Sequence, residues 1–205
     1  MKVKDIISTI ESFAPLSIQE RWDNSGLCVG SPEDEVHSVL LGLDCTPELV
    51  DEAIACGADM IVTHHPLIFS GLKNISPENM VGAAVIKAIK AGISIYAAHT
   101  SADKVLAGVS GAMAARLGLT DVEILDEDGD GTGLGVVGNL PEPLPAEEMT
   151  RLVKEKFGLK VLKSSRPLEG MISRVAMCGG SGRSLIGAAM KSGAQLYVSG
   201  DISYH

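Results

Sequence analysis

Short apolar runs alternate with amphipathic stretches along most of the chain, which has 205 residues. The apolar runs are rich in Val and Ile, as buried strands are, whereas the amphipathic stretches follow the helical period. Capping residues mark the helix ends; Thr46-Pro47-Glu48 opens one helix and Gly57 closes it. The pattern predicts strands at 36–43, 59–63, 93–98, 133–140, 159–162, 172–178 and 195–199. It predicts helices at 6–13, 46–57, 76–92, 105–117, 146–157 and 184–192.

The alternation of strands and helices predicts an α/β fold made of βαβ units with a mostly parallel sheet. One stretch, 126–132, interrupts this order because it is acidic and rich in glycine. Such a composition is typical of a linker. We therefore expect a first domain at 1–125, a linker at 126–132 and a second domain at 133–205.

The second half of the chain resembles the first at a fixed spacing of 136 residues, the offset between Leu49 and Leu185. Small and apolar residues coincide at this offset. The pairs are Val36 and Ile172, Val39 and Val175, Ala53 and Ala189, Gly57 and Gly193, and Val62 and Val198. The pattern fits a duplicated unit, but two βαβ units that converged by chance would also give it.

Composition excludes several classes of protein. Hydrophobic residues make up 45% of the chain, enough for a full core. The net charge of −9 argues against a nucleic-acid or anionic-membrane partner, because both need clustered Lys and Arg. No apolar run is long enough to span a membrane, and no signal peptide opens the chain, so we expect a cytoplasmic protein. The four cysteines form no CxxC pair and are expected to be reduced thiols.

Candidate chemistry lies at the ends of three predicted strands. Asp44, His64, His65, His99 and Asp103 all follow a strand closely. Parallel strands end at the same edge of a sheet, where ligands bind, and imidazole with carboxylate suits Zn, Fe or Mn. Successive side chains of an extended backbone point apart, so the adjacent histidines favour two ions. Ordinary loop hydrogen bonds would also explain the histidine pair, and Asp44 could simply close a turn.

A glycine-rich turn at 178–184 joins a predicted strand to a predicted helix. Its backbone amides and Arg183 could hold an anion, or it could be a plain tight turn. It has no P-loop lysine.

Four motifs, in order, resemble those of the Nif-three-like proteins, also called GTP cyclohydrolase 1 type 2 homologues. They are Trp22-Asp23-Asn24-Ser25-Gly26-Leu27, Thr63-His64-His65-Pro66-Leu67-Ile68-Phe69, Ala98-His99-Thr100-Ser101-Ala102-Asp103 and Ser199-Gly200-Asp201-Ile202-Ser203-Tyr204-His205. The resemblance implies a duplicated three-layer α/β/α fold and a toroidal homohexamer. It implies that His64 and Asp103 ligate one divalent ion and His65 a second. His99 would transfer protons or act as a further ligand. The family's remaining His and Glu ligands follow the last motif, so the second domain is expected to be incomplete at its C-terminus.

The function implied is that of a dinuclear metal-dependent hydrolase acting on a nucleotide or a related small phosphorylated substrate. His99 would be its acid or base, since imidazole titrates near neutral pH. The alternative is a non-catalytic, metal-binding oligomer with a regulatory or protein-interaction role.

Overall fold

The structure, a computed structural model, describes residues 1–165 and 169–202. The chain divides into two compact units, Met1–Ala102 and Asp103–His205. This boundary lies earlier in the chain than the one expected at residue 125. The acidic stretch at 126–132 is a hairpin connection rather than a linker, because Asp126 pairs with Leu134 and Glu127 with Gly133 across it.

The first unit is a mixed sheet covered by helices. Its elements are α1 (Val3–Glu11), β1 (Gly26–Val29), β2 (Val39–Gly42), α2 (Pro47–Cys56), β3 (Met60–Thr63), α3 (Met80–Ala91), β4 (Ser94–Ala97) and α4 (Thr100–Asp103). The last residue of α4, Asp103, is counted with the second unit. The strand order is β1-β4-β3-β2. The three strands predicted here, β2, β3 and β4, are parallel as expected. The unpredicted β1 pairs with β4 in the antiparallel direction.

Alternation along β3 and β4 builds a core on each face of this sheet. Ile61 and Ile95 are fully buried in a cluster that includes residues of α2 and α3. Their neighbours Met60 and Tyr96 are fully buried in a second cluster, with Val3 of α1. Side chains of a strand point to opposite faces in turn, so the two clusters lie on opposite faces. The first unit therefore has the predicted α/β/α layering.

The second unit contains a longer sheet of a different character. Its elements are α5 (Val109–Leu117), β5 (Thr120–Glu127), β6 (Gly133–Pro145), α6 (Ala146–Phe157), β7 (Met171–Ser181), α7 (Ile186–Lys191) and β8 (Leu196–Asp201). The order is β5-β6-β7-β8. The first three strands are antiparallel, and only β7 and β8 are parallel. The mixed α/β class is thus confirmed, but parallel pairing predominates only in the first sheet. The strand predicted at 159–162 does not form.

The strand register supports the 136-residue repeat. Val39 faces Met60 in the β2–β3 pair, and Val175 faces Leu196 in the β7–β8 pair. Adding the offset to the first pair of residue numbers gives the second pair. The same holds for Gly42 with Thr63 and for Cys178 with Ser199. The two halves therefore share a parallel strand pair with the same register, whatever their origin.

No helix in the described part of the chain is long and apolar enough to cross a membrane.

Candidate metal centre

Three histidines meet at one edge of the first sheet. Residues Thr63 and Ala97, at the ends of β3 and β4, face each other in the parallel pair. His64 and His65 follow the first of these residues, and His99 lies two positions after the second. One ligand atom from each of the three imidazoles lies within 4.8 Å of the others. The strand-end prediction for these three side chains is confirmed.

A bend after β3 lets both adjacent histidines join the cluster. The amides of His64 and His65 donate to the successive carbonyls of Gly42 and Leu43, at 3.3 and 2.9 Å. An extended strand directs only every second amide to a given neighbour, so the backbone leaves the strand here. The two rings lie 5.0 Å apart between centroids. The prediction of two ions assumed an extended backbone, so this spacing argument does not apply to the bent segment.

Each of the three imidazoles has its Nδ1 atom against an oxygen acceptor. Nδ1 of His64 lies 3.0 Å from the carbonyl oxygen of Ala98. Nδ1 of His65 lies 2.7 Å from Oδ1 of Asp44, and Nδ1 of His99 lies 2.8 Å from Oδ1 of Asp23. Carbonyl and ionised carboxylate oxygens only accept hydrogen bonds, so Nδ1 must carry the hydrogen. In the neutral ring the lone pair is then on Nε2, the atom that binds a metal or a proton.

Asp23 is the buried anchor of the site. Its side chain is fully buried, beside the mostly buried His99. Oδ1 accepts from the Asn24 amide, and Oδ2 accepts from the Ser25 hydroxyl and from both the amide and the hydroxyl of Thr100. Burial raises the pKa of Asp23, but hydrogen bonds from Thr100 and His99 outweigh burial and lower this pKa to about 2. The carboxylate is therefore ionised at neutral pH.

The sequence indicated Asp44 only as an open alternative and gave Asp23 no derived role. The structure resolves both, because each carboxylate holds one histidine of the cluster. The signal for Asp23 was its place in the Trp22-Asp23-Asn24 motif of the resembled family. The predicted ligand Asp103 begins the second compact unit, and its role as a ligand stays a prediction. His37, away from the cluster, is exposed beside Asp59.

The glycine-rich turn at 178–184 uses its amides within the protein. The Gly182 amide donates to the Asp201 carbonyl and to the Ser199 hydroxyl, at 3.1 and 2.9 Å. The Gly179 amide donates to the Ser110 hydroxyl. These bonds favour the plain tight turn over an anion site.

The donor set fits a divalent transition-type ion. Nitrogen ligands lie about 2.0–2.1 Å from zinc, which puts two of them roughly 3.3 Å apart in a tetrahedral site. Atoms within 4.8 Å of one another reach that spacing through small side-chain rotations. The carbonyl and carboxylates behind the rings are the outer partners that metal-bound histidines usually have. The cluster can therefore hold a metal ion, and His64, His65 and His99 are its candidate ligands.

Comparison with known proteins identifies the family of the chain. A family model described as Duf34/NIF3 (NGG1p interacting factor 3) matches residues 1–205. A GTP cyclohydrolase 1 type 2 homolog of Clostridium perfringens is 38% identical over 207 residues, covering 100% of this chain and 79% of that protein. Protein NIF3 homolog of Schizosaccharomyces pombe is 32% identical over 209 residues, covering 96% of this chain and 74% of its own. The crystal structure of a Bacillus cereus protein related to NIF3 has a TM-score of 0.92 at 27% identity, covering 100% of this chain and 84% of that one. The chain therefore belongs to the DUF34/NIF3 family.

Proposed function

We propose that this protein is a metal-dependent hydrolase that acts on a nucleotide or a related small phosphorylated substrate. The proposal rests above all on the three imidazoles whose Nδ1 atoms are each held by an oxygen acceptor. That arrangement puts the hydrogen of each ring on Nδ1, and one ring nitrogen of each histidine lies within 4.8 Å of those of the other two. The name GTP cyclohydrolase 1 type 2 homolog, carried by the Clostridium perfringens relative, supports a nucleotide as the substrate.

The metal assignment follows the family resemblance. We propose two divalent ions (Zn, Fe or Mn), one held by His64 and Asp103 and the other by His65. When bound, such ions supply Lewis-acid chemistry: they lower the pKa of water and neutralise charge that develops on the attacked group.

Of the three imidazoles, His99 is proposed to move the proton rather than to bind an ion. Asp23 holds the Nδ1 hydrogen of His99 at 2.8 Å, so Nε2 is the atom that accepts a proton from the nucleophile or returns one to the leaving group. The His99 amide is also fixed, by the Ser25 hydroxyl at 3.1 Å. The same hydroxyl donates to Asp23, so backbone and ring are held by one network. This rigidity keeps the general acid or base in one orientation.

Metal content tests the ligand assignment. His64→Ala and Asp103→Ala should each lower the metal bound per chain, measured by elemental analysis after dialysis. Circular dichroism should stay unchanged because both side chains lie beyond strand ends. His37→Ala is the matched control, since His37 is exposed and bonded to Asp59 away from the cluster, and it should bind metal like the wild type. Wild-type stoichiometry in both ligand variants would overturn the assignment.

Turnover tests the hydrolase itself. Metal-loaded protein should release product from GTP or from p-nitrophenyl phosphate, and His99→Ala should lower kcat by about 100-fold or more. This fall in kcat should be larger than any fall in bound metal measured in the same variant. Equal activity of His99→Ala and wild type at equal metal content would remove His99 from the mechanism.

The family description, which names an interacting factor, favours a second candidate. In this alternative the protein is a metal-binding oligomer with a regulatory or protein-interaction role. It predicts no turnover of either probe by the metal-loaded protein and partner binding that survives His65→Ala. We also propose a homo-oligomer, a toroidal hexamer by resemblance, which light scattering on the complete chain would test.

A further inference from the structure

Two large aromatic side chains stand exposed beside the histidine cluster. Trp22 is 59% exposed and Phe69 is 50% exposed, with ring centroids 5.9 Å apart. Phe, Tyr and Trp together make up only 3% of the chain, and Trp22 is its one tryptophan. Leaving such a side chain in water forgoes about 1.5–3 kcal/mol of burial. Two neighbouring rings left in this state favour a site where something packs against them.

We infer that Trp22 and Phe69 form an aromatic wall that binds the nucleobase of the substrate next to His99. This inference rests on the proposed function and names the part of the substrate that the wall recognises. Both rings touch the site: Trp22 lies 5.9 Å and Phe69 6.3 Å from the His99 ring, each in a T-shaped contact. A flat ring on this wall is thus in direct reach of the general acid or base.

The wall is held in place before a ligand arrives. Trp22 precedes the buried Asp23, and Phe69 follows Ile68 in the chain. The side-chain amide of Asn24 donates to the Ile68 carbonyl at 2.6 Å, which ties the two segments together. Binding therefore needs little further ordering of the two backbone segments that carry the rings.

The chemistry around the wall favours a nucleotide over a simple apolar ligand. Aromatic side chains stack any nucleobase, because every base has a π face. An open cleft of about 440 Å³ adjoins Phe69 and is lined by Lys73, Asn74 and Asn79 among others. This volume lies in the range of small-ligand sites. Lys73 supplies a cation there for a phosphate group, in a protein whose net charge of −9 otherwise repels anions.

The single tryptophan makes the test direct, since emission excited at the red edge comes from Trp22 alone. The full chain, with and without divalent metal, is titrated with adenosine or guanosine monophosphate, and with ribose phosphate as the ligand without a base. We expect saturable quenching by the two nucleotides and none by ribose phosphate. Phe69→Ala should raise the nucleotide Kd on the order of tenfold, the loss of one stacking contact. Phe13→Ala, which removes a ring that is also 50% exposed, should leave it unchanged.

Calorimetry extends the test to Trp22 itself: Trp22→Ala should lose nucleotide binding and Trp22→Phe should retain most of it. Equal quenching by all three ligands, or equal Kd values for Phe69→Ala and Phe13→Ala, would overturn the wall. The wall would also be overturned if Trp22→Ala dissociated an oligomer and left the nucleotide affinity unchanged. That result would make the two rings a contact between copies of the chain. The hydrolase proposal is tested separately. Quenching by the nucleotides without any turnover would support the aromatic wall and refute the hydrolase. Turnover of p-nitrophenyl phosphate without quenching by nucleotides would support the hydrolase and refute the wall.

Discussion

Replacing Asp23 with Asn should reverse the tautomer of His99 while keeping the shape of the site. In the wild type, Oδ1 of Asp23 accepts from His99 and from the Asn24 amide, whereas Oδ2 accepts from Ser25 and twice from Thr100. The single carbonyl oxygen of Asn fits best at the Oδ2 position, where more donors converge. Its NH₂ group then faces Nδ1 of His99, which must accept, so the ring hydrogen moves to Nε2.

The cost in stability follows from the pKa of Asp23. Burial raises this pKa, but hydrogen bonds from Thr100 and His99 lower it from 3.8 to about 2. A shift of this size corresponds to about 2 kcal/mol of stability contributed by the ionised form. Because the folded-state pKa is depressed, this contribution is fully present above pH 3.8 and is lost as the pH falls through about 2. Asp23→Asn should lower the free energy of unfolding by about 2 kcal/mol at neutral pH and lose this acid dependence.

Three measurements test the reasoning. Denaturant unfolding gives the stability, ¹⁵N chemical shifts of the imidazole give the tautomer, and turnover by the metal-loaded protein gives kcat. With its hydrogen on Nε2, neutral His99 can no longer accept a proton there, so kcat should fall by about 100-fold. Asp59→Asn is the control, because Asp59 holds the exposed His37 at 3.5 Å away from the cluster. If His99 in Asp23→Asn keeps its hydrogen on Nδ1 and kcat is unchanged, Asp23 does not set the tautomer.

Two further predictions concern stability and reactivity. In unfolding experiments Gly82→Ala should destabilise the protein by about 1–3 kcal/mol, because its Cβ would lie 2.2 Å from a backbone carbonyl oxygen. Gly187→Ala should stabilise by up to about 1 kcal/mol, since its Cβ meets nothing within 4 Å; equal effects of the two changes would contradict this reasoning. Burial raises the pKa of the Cys45 thiol to about 11, so mass spectrometry at pH 8 should find it unalkylated while the exposed Cys56 reacts. Rapid alkylation of Cys45 in the folded protein would contradict the burial of its thiol.

Local signals predicted the elements whose ends are set locally. The Thr46 hydroxyl accepts from the Leu49 amide, and Gly57 adopts the left-handed conformation, as the capping pattern of α2 requires. Helix α3 shows the limit of such signals. Its predicted start lay at Ser76, but Asn79 caps it instead, accepting from the Gly82 amide at 2.7 Å. Two cap candidates three residues apart look alike in sequence, and packing decides between them.

Two strands, β1 and β5, were missed for different reasons. β1 has only four residues and is held by antiparallel pairing with β4, where Leu27 faces Tyr96. β5 presents acidic side chains on its exposed side, so the start of its hairpin reads as a polar linker. Neither strand has enough apolar residues to be recognised as a strand from the sequence pattern alone. For β1 the stabilisation comes from pairing with a distant strand, and for β5 from the adjoining strand of its hairpin.

The candidate metal site also has a part that the sequence predicted and a part that it did not. The three histidines were predictable because each follows a buried strand and parallel strands end together. Asp23 was not, because it reaches His99 from 76 positions earlier in the chain, through the loop before β1. The bend at His64 and His65 was also hidden, since it depends on amides that donate to the end of β2. Strand periodicity places residues at an edge, but the direction of each side chain there is set by the neighbouring chain.

The two halves of the 136-residue repeat share a strand scaffold but differ in the residues at the strand ends. The β2–β3 and β7–β8 pairs share one register, yet the residues after β3 are histidines whereas the equivalent positions are Gly200 and Asp201. At β3 the chain bends and presents two imidazoles. At β8 the strand continues to Asp201, whose carbonyl accepts from the Gly182 amide and so closes the adjoining turn. Equivalent strand ends thus serve a candidate metal site in one half and a structural turn in the other. The shared register is compatible with both roles, so the side chains at each strand end determine which role that end has.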